Sequence, residues 1–356
     1  MKKIYALLFT LITVLFLQAC DPNTLKIYLP KDYIDDSVVE AFEQEYGVKV
    51  EIYQFDSNEI ALTQARINRY DLIIPSDYAI EEFKAEGMIK PIDWDKIELK
   101  KDGFAESLQT ILDELKENGF DLLEYAVPYF WGSIGLIYNH NKPEVEEKVL
   151  SQGWAVLGDH SITKMIYDSP RDAYMAALFA KETPIKMSNA TENDIKAATD
   201  WLIAAKGPNT VVESDEILDK AAGNAVPYDV AMVYSGDATY ILQDNENYTF
   251  YIPEWSNVWI DGMVIPTNSR NEDLAYDFIN FVNSYEQSLA NATYIGYSPV
   301  RQDVFNTLLE DEEFVFDERI EYAFNVDVTL FSYEVYRYDS KLKGWIDDNY
   351  DLFLLE

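Results

Sequence analysis

The sequence predicts an α/β protein with two lobes, and three observations lead to this prediction. The chain has 356 residues, which is more than a single hydrophobic core usually organises. Apolar runs of strand length alternate with amphipathic segments of helix length, which is the pattern of α/β folds. The composition is 48% hydrophobic and 26% charged, which indicates a globular protein rather than a disordered or multi-span membrane protein.

Residues 1–20 have the features of a targeting segment that is removed from the fold. Lys2 and Lys3 precede an apolar stretch at residues 4–17, which is too short to cross a bilayer comfortably. The stretch is followed by Cys20, the single cysteine of the chain. This arrangement looks like a bacterial lipoprotein signal, in which Cys20 becomes the lipidated first residue. A plain secretory signal with an incidental cysteine is the alternative, and in both cases the mature fold has no internal disulfide.

The first lobe is predicted from an alternation of strands and helices. Residues 25–29, 48–52 and 71–74 have strand patterns, and the last is apolar throughout, as in a parallel strand covered on both faces. Helical segments separate them, the first opening at a capping region that includes Asp35 and ending at Gly47. Loops after the carboxyl ends of parallel strands are where open α/β sheets bind ligands, so the loops at 30–33 and 75–78 are candidates.

The second lobe follows an apolar strand at residues 134–138, a predicted crossing between lobes. Ser169 is a predicted N-cap, and Asp172 would close a capping box at the start of the next helix. We expect the chain to return through the strand that holds Trp259 and Asp261. The resulting division places the first lobe at residues 21–130 and 262–298, and the second at residues 131–261 and 299–356.

Trp259 and Asp261 share one face of their predicted strand, because side chains alternate with a period of two. An indole ring attracts an ammonium group through its quadrupole, and a neighbouring carboxylate neutralises it. The pair therefore suggests a site for an organic cation. A core tryptophan beside a strand-end aspartate that caps a turn is the alternative.

The charge and the absence of catalytic motifs restrict the function. Loss of Lys2 and Lys3 takes the formal charge from −36 to −38, because residues 1–20 contain no acid, so nucleic acid is not an expected partner. His140 and His160 are the only histidines, and there is no glycine-rich phosphate loop or nucleophile elbow. We expect no metal, no cofactor and no enzyme activity, although a hydrolase that uses paired carboxylates is an open alternative.

Five segments together resemble the spermidine/putrescine-binding proteins of bacterial ABC importers. These segments are YDLIIPSDY at 70–78, EGMIKPID at 86–93, VPYFWG at 127–132, WID at 259–261 and IGY at 295–297. The resemblance covers residues 25–299 and implies the two-lobed fold of extracytoplasmic solute-binding proteins, each lobe a mostly parallel sheet flanked by helices. It also implies a ligand cleft between the lobes, where aromatic rings sandwich the methylene groups of a polyamine and carboxylates meet its amines.

The resemblance also implies which residues line this cleft. The ligand-binding residues carried over are Asp32, Tyr33, Ser76, Tyr78, Ser169, Asp172, Tyr234, Trp259, Asp261 and Tyr297. Some positions depart from the family pattern: Lys31 could oppose a cationic ligand, and Ser169 stands where some relatives have a carboxylate. Asp172 has either a capping or a ligand-binding role, whereas Asp77 and Asp237 are expected mainly as helix-start residues.

The sequence as a whole predicts a lipid-anchored receptor on the extracytoplasmic face of the cell membrane. By resemblance, it would bind putrescine or spermidine as a monomer, close about a hinge and deliver the ligand to a membrane permease. A receptor of the same fold for another small solute is the first alternative, and an extracytoplasmic hydrolase is the second.

Overall fold

The computed structural model describes residues 23–214, 216–221, 226–315 and 317–355. Cys20 and the rest of the predicted signal segment lie outside the described residues. Within those four ranges, no helix is long and apolar enough to cross a membrane.

The strands, labelled in chain order, are β1 Thr24–Pro30, β2 Lys49–Phe55, β3 Leu72–Ile73, β4 Val127–Asn139, β5 Lys164–Tyr167, β6 Thr210–Glu213, β7 Val230–Tyr234, β8 Tyr248–Tyr251, β9 Trp255–Met263, β10 Ser298–Pro299 and β11 Ser332–Glu334.

The α-helices are α1 Asp36–Tyr46, α2 Asn58–Ala65, α3 Asp77–Ala85, α4 Glu106–Glu117, α5 Pro143–Gln152, α6 Pro170–Phe179, α7 Glu192–Ala205, α8 Glu216–Ala221, α9 Ser235–Asp244, α10 Glu272–Val282, α11 Tyr285–Ile295, α12 Gln302–Glu310, α13 Glu318–Phe324 and α14 Ser340–Leu355. Short 3₁₀ turns lie at Lys101–Gly103, Leu122–Glu124, Gly153–Gly158 and Met187–Asn189.

The first lobe is built on a parallel sheet with strand order β2-β1-β3. Helix α1 connects β1 to β2, and its first turn is capped by Asp35, whose carboxylate accepts from the Ser37 amide. The helix ends at Gly47, which adopts φ 65° and donates its N–H to Glu43 O. Such a left-handed cap favours glycine, since a Cβ is disfavoured there. The alternation predicted for this lobe is therefore confirmed.

The second lobe is built on a larger mixed sheet. Its main path has the strand order β11-β9-β4-β7-β5-β6. β5 is parallel to β6 and β7, whereas β4 is antiparallel to β7, β8, β9 and β10. The predicted α/β class with two lobes is confirmed by these two sheets and the helices that flank them. The second sheet is mixed rather than mostly parallel as expected, because β4 runs antiparallel to four other strands.

β4 and β9 are long antiparallel strands that contact both lobes. The amino-terminal part of β9 pairs with β11 in the second lobe. Its carboxyl-terminal part forms isolated bridges to the first lobe, Ser76 to Asp261 and, just past the strand, Ile73 to Val264. A side chain near Asp261 is thus fixed where the two sheets meet.

The segment after β10 contacts both lobes as well. Helix α12 packs on α11 beside the first lobe, whereas α13 packs on α9 and β8. β11 extends the second sheet, and α14 packs on α7 and α6.

The close approach of β8 to β4 gives a test of this packing. A Cβ on Gly135 of β4 would lie 2.6 Å from the Phe250 ring and 2.7 Å from Tyr251 O. We expect Gly135→Ala to lower the free energy of unfolding by about 1–3 kcal/mol through overpacking. Gly344→Ala in α14 is the control, because a Cβ there meets no atom within 4 Å, and it should stabilise the helix by about 0.5–1 kcal/mol.

Chemical denaturation of the two variants beside the parent chain measures both effects. Equal unfolding free energies for the two alanine variants would contradict the packing of β8 on β4.

Candidate functional site

Asp261 is a buried carboxylate, and only one of its two oxygens accepts a hydrogen bond from a described residue. Strand β9 points Asp261 and Trp259 to the same side, and only 6% of Asp261 and 8% of Trp259 are exposed. The Tyr33 hydroxyl donates to Asp261 Oδ2 at 2.7 Å. Asp261 Oδ1 is also buried, and no described residue donates a hydrogen bond to it. Buried carboxylate oxygens are normally satisfied, so this oxygen marks a place for an external donor.

Tyr33 is held in position by a chain of hydrogen bonds behind it. The Tyr129 hydroxyl of β4 donates to Tyr33 O at 2.8 Å, and Asn291 Nδ2 of α11 donates to the Tyr129 hydroxyl at 2.8 Å. Asn291 Oδ1 in turn accepts from the Asp35 amide at 2.9 Å. The loop after β1 is therefore fixed by two other elements, which orients the Tyr33 hydroxyl toward Asp261.

Three tyrosines lie around Trp259 and Asp261, and together with the Trp259 ring they form what we call the aromatic box: Tyr33, Tyr234, Trp259 and Tyr297. The Trp259 ring meets Tyr297 edge-on at 5.2 Å between centroids and Tyr234 at 5.8 Å. Tyr33 and Tyr297 complete the box at 5.7 Å. In the part of the chain that the structure describes, Trp259 Nε1 has no hydrogen-bond partner. Edge-on rings of this kind exclude water from the carboxylate beside them.

Asp172 is a second buried carboxylate, on the other side of Tyr234. Its Oδ2 accepts from the Tyr234 hydroxyl at 2.7 Å and its Oδ1 from the Tyr336 hydroxyl at 3.0 Å. Tyr234 therefore touches both the acid and the Trp259 ring. Asp172 is thus linked by Tyr234 to Trp259, which shares one face of β9 with Asp261.

The predicted capping box at Ser169 is half right. Ser169 is the N-cap of α6, and its Oγ accepts from the Asp172 amide at 3.4 Å. The reciprocal bond is wrong, because the Ser169 amide donates to Tyr167 O at 2.8 Å. The Asp172 carboxylate accepts from the hydroxyls of Tyr234 and Tyr336 instead.

Ser76 and Tyr78 face the second lobe from the start of α3. Tyr78 is buried, and the Arg171 guanidinium of α6 lies over its ring at 3.9 Å. The Tyr78 hydroxyl donates to Glu59 Oε1 at 3.2 Å. Ser76 bonds to Asn58 through its amide and its Oγ, at 3.1 and 3.0 Å, and its backbone bridges to Asp261.

Asp32 is the predicted site residue that the structure does not bring to this cluster. Its side chain is 74% exposed and faces Lys31 Nζ at 3.7 Å. Asp32 has φ 53°, a left-handed conformation that aspartate tolerates better than most residues. This turn sends Asp32 outward while Tyr33 points inward, and Lys31 has an acidic partner at the surface.

Asp77 and Asp237 were expected mainly as helix-start residues, and each also makes a tertiary contact. Asp77 accepts from the Tyr78 amide at 2.6 Å and from the Ile260 amide at 3.0 Å, so it ties α3 to β9. Asp237, in the first turn of α9, accepts from the Tyr297 hydroxyl at 2.6 Å.

Sequence reasoning missed Arg171 and Tyr336. Arg171 is only 4% exposed, and no hydrogen-bond partner for its Nε or Nη1 lies in the described ranges. Tyr336 lies past residue 299, where the resemblance ends. The aromatic-rich tail was the available signal for Tyr336, but it did not indicate which tyrosine reaches the cleft.

Burial raises the pKa of the acids in this cluster. The pKa of Asp261 rises to about 6 because the side chain is desolvated, although Ser76 and Tyr33 counteract part of the rise. Among the described residues, the Tyr33 hydroxyl is the one donor in hydrogen-bond geometry with the carboxylate. Burial also raises the pKa of Asp172, although hydrogen bonds with Ser169, Tyr234 and Tyr336 lower it in part. Burial holds the pKa of Asp77 well above its usual value. Because desolvation is the main cause, the ionised form of each of these carboxyls is destabilised in the ligand-free fold.

This arrangement can bind an organic cation with two positive ends. The Tyr33 hydroxyl donates to Asp261 and two tyrosine hydroxyls donate to Asp172, and the rings of Tyr234 and Trp259 contact each other beside these acids. Such surroundings suit methylene groups between ammonium groups, because the rings supply apolar contact and a favourable quadrupole.

Comparisons with known proteins identify the family and the fold. A family model described as bacterial extracellular solute-binding protein matches residues 37–316. The spermidine/putrescine-binding periplasmic protein of Salmonella typhimurium is 26% identical over 285 residues, which covers 78% of each chain. The putrescine-binding periplasmic protein PotF of Escherichia coli is 27% identical over 285 residues, or 74% of each chain.

Among solved structures, a Listeria monocytogenes chain assigned to a spermidine/putrescine ABC transporter is similar with a TM-score of 0.76. It is 30% identical and covers 94% of this chain and 99% of its own. The solute-binding fold predicted from the sequence is confirmed by this likeness. The chain belongs to the family of bacterial extracellular solute-binding proteins.

Proposed function

We propose that the mature protein is the lipid-anchored substrate-binding component of a polyamine ABC importer. It captures putrescine or spermidine and delivers it to a membrane permease. The observation that carries the proposal is Asp261 Oδ1, a buried acceptor with no donor among the described residues, beside the Trp259 ring. The names of the relatives from Salmonella typhimurium and Escherichia coli support the choice of ligand.

The two carboxylates suit the two ends of a diamine. One ammonium group would donate to Asp261 Oδ1, and the other would replace or share the tyrosine hydroxyls on Asp172. An unpaired ammonium costs several kcal/mol to bury, so a separate acid for each amine is what this ligand needs. The aromatic box lies between them and would contact the methylene groups.

Hinge closure is the proposed mode of capture, because the residues of the site come from both lobes. Tyr33 and Tyr78 come from the first lobe, whereas Asp172 and Tyr234 come from the second. A ligand that touches both sets favours the closed arrangement by its differential contacts. We keep residues 21–130 and 262–298 as the first lobe and residues 131–261 and 299–356 as the second, with β4 and β9 as the hinge.

The second candidate function is that of a receptor of the same fold for another small solute. Lys31 no longer supports this candidate, because its ammonium group pairs with Asp32 at the surface. Arg171 favours this candidate instead, since two of its buried N–H groups lack an acceptor in the residues the structure describes. The corresponding ligand would have an amine at one end and a carboxylate at the other.

Binding without turnover is the first expected result. Purified protein should bind putrescine or spermidine in a calorimetric titration and leave it chemically unchanged. Asp261→Asn should weaken binding by about 2–5 kcal/mol, as for one partner of a buried charge pair, and Trp259→Leu by about 1–2 kcal/mol. Asp32→Asn is the control and should bind like the parent chain, because Asp32 is exposed.

Normal polyamine affinity in a folded Asp261→Asn protein would contradict the assignment. Tight binding of an ω-amino acid with no binding of diamines would favour the second candidate. Consumption of the ligand in proportion to protein concentration would favour a hydrolase.

A pH dependence follows from the raised pKa of Asp261. The pKa is 3.8 ordinarily and about 6 in the fold, so the folded state holds the proton more tightly. The stability this contributes is fully present below pH ~4 and is lost as pH rises through ~6. At pH 8, Asp261→Asn should therefore exceed the ligand-free parent in unfolding free energy, by up to ~3 kcal/mol, and the gain should shrink at pH 4.

Denaturant titrations at pH 4 and pH 8 measure this difference. Asp77 and Asp172 titrate in both proteins, so their contributions largely cancel. Putrescine affinity of the parent should rise with pH through ~6, because the ammonium needs the ionised carboxylate. A mutational difference that is the same at both pH values would refute the assignment of this pKa to Asp261.

The lipid anchor is tested at Cys20, which lies outside the described residues. Cys20→Ser should leave polyamine binding intact and release the protein from the membrane fraction, because no thiol remains to carry a lipid. Fractionation followed by immunoblotting measures the distribution. A mutant that stays membrane-bound with its signal cleaved would contradict lipidation at Cys20.

A further inference from the structure

A group of ion pairs joins the two lobes outside the aromatic box. Glu81 lies on α3 of the first lobe and faces Arg337, in the segment between β11 and α14. Arg337 donates to both Glu81 oxygens, from Nε at 2.9 Å and from Nη2 at 2.7 Å. The Tyr338 amide adds a third donor to Glu81 at 2.8 Å. A bidentate guanidinium–carboxylate pair fixes orientation as well as distance.

A second ion pair lies beside the first. Lys343 of α14 donates to both oxygens of Glu82, at 2.7 and 2.9 Å. The Glu82 side chain is only 4% exposed, so this pair is screened by solvent less than a surface pair. Arg337 Nη1 also donates to Asn118 O, at 2.7 Å, just after α4.

The two partners of each ion pair come from different parts of the fold: α3 follows β3 of the first sheet, whereas Arg337 and Lys343 follow β11 of the second sheet. Helix α3 packs on α2 and on β9 beside the first-lobe bridge at Ser76. Helix α14 packs on α7 and α6, and β11 belongs to the second sheet. Opening of the cleft would therefore separate Arg337 from Glu81 and Lys343 from Glu82.

The same segment reaches the candidate site. Tyr336 precedes Arg337 and donates to Asp172, and its ring lies 6.3 Å from that of Tyr78. Tyr78 in turn lies one helical turn before Glu81 and Glu82 on α3. The ion pairs thus hold together the two elements that carry Tyr78 and Tyr336.

We propose that Arg337–Glu81 and Lys343–Glu82 form a latch between the lobes that sets the fraction of closed molecules and thereby the ligand affinity. The inference rests on the proposed function, because affinity is its readout. A protein whose competent form is only partly populated binds with an affinity reduced by that fraction. The latch therefore strengthens binding although its four side chains contact each other rather than the ligand.

The test uses Arg337→Gln, Lys343→Gln and the double variant in the full mature chain. The control is Lys196→Gln, which removes an ion pair with Glu192 inside helix α7 of the second lobe. Putrescine titrations should give a dissociation constant ~3- to 10-fold higher for the double variant and an unchanged value for the control. Arg337→Lys, which keeps the charge but not the bidentate geometry, should fall between the parent and Arg337→Gln.

Salt and shape supply further readouts. Added sodium chloride should weaken putrescine binding more in the parent than in the double variant, since the latch is one of the interactions that salt screens. Small-angle X-ray scattering of the ligand-free proteins should show a larger radius of gyration for the double variant than for the control.

The outcomes separate the latch from the ligand assignment. If the parent binds putrescine, a dissociation constant within twofold of the parent in the folded double variant overturns the latch. If the parent binds no polyamine, the proposed function fails, and scattering alone decides: expansion supports the latch, and equal radii overturn it. Melting curves of the single variants identify any loss of folding.

Discussion

The burial of the Asp261 charge is the constraint on which the rest of the site depends. A carboxylate taken out of water needs donors or a cation, and the fold gives it the Tyr33 hydroxyl on one oxygen. The other oxygen has no donor among the described residues, and desolvation of the side chain raises its pKa to about 6. A buried carboxylate without a cation destabilises the ligand-free protein. A cationic ligand would remove this cost, and the free energy recovered would contribute to its affinity.

The same constraint links binding to motion. β9 carries Trp259 and Asp261, pairs with the second sheet and bridges to the first lobe, so one strand holds the proposed ligand contacts and part of the proposed hinge. If the proposal holds, ligand contacts from both lobes and the ion pairs near α3 act on a single opening equilibrium. In this account, affinity depends on how much of the molecule is already closed as well as on the contacts made.

The sequence predicted what local patterns determine and missed what distant contacts determine. Strand and helix alternation gave the fold class, and period-2 spacing placed Trp259 with Asp261 on one face. Asp32 was assigned to the site with Tyr33, but a left-handed backbone sends the two in opposite directions. Asp172 fitted a local capping box, whereas Tyr336, 164 residues further along, determines where its carboxylate turns. No local rule identifies Tyr336 or the pairing of Arg337 with Glu81.

A crystal structure of the protein with putrescine is the most direct test of ligand binding at Asp261. We expect one ammonium nitrogen at about 2.7–2.9 Å from Asp261 Oδ1, the methylene chain against Trp259 and the second ammonium at Asp172. Electron density for putrescine away from β9, with Asp261 Oδ1 still without a cationic partner, would show that Asp261 does not bind the ligand.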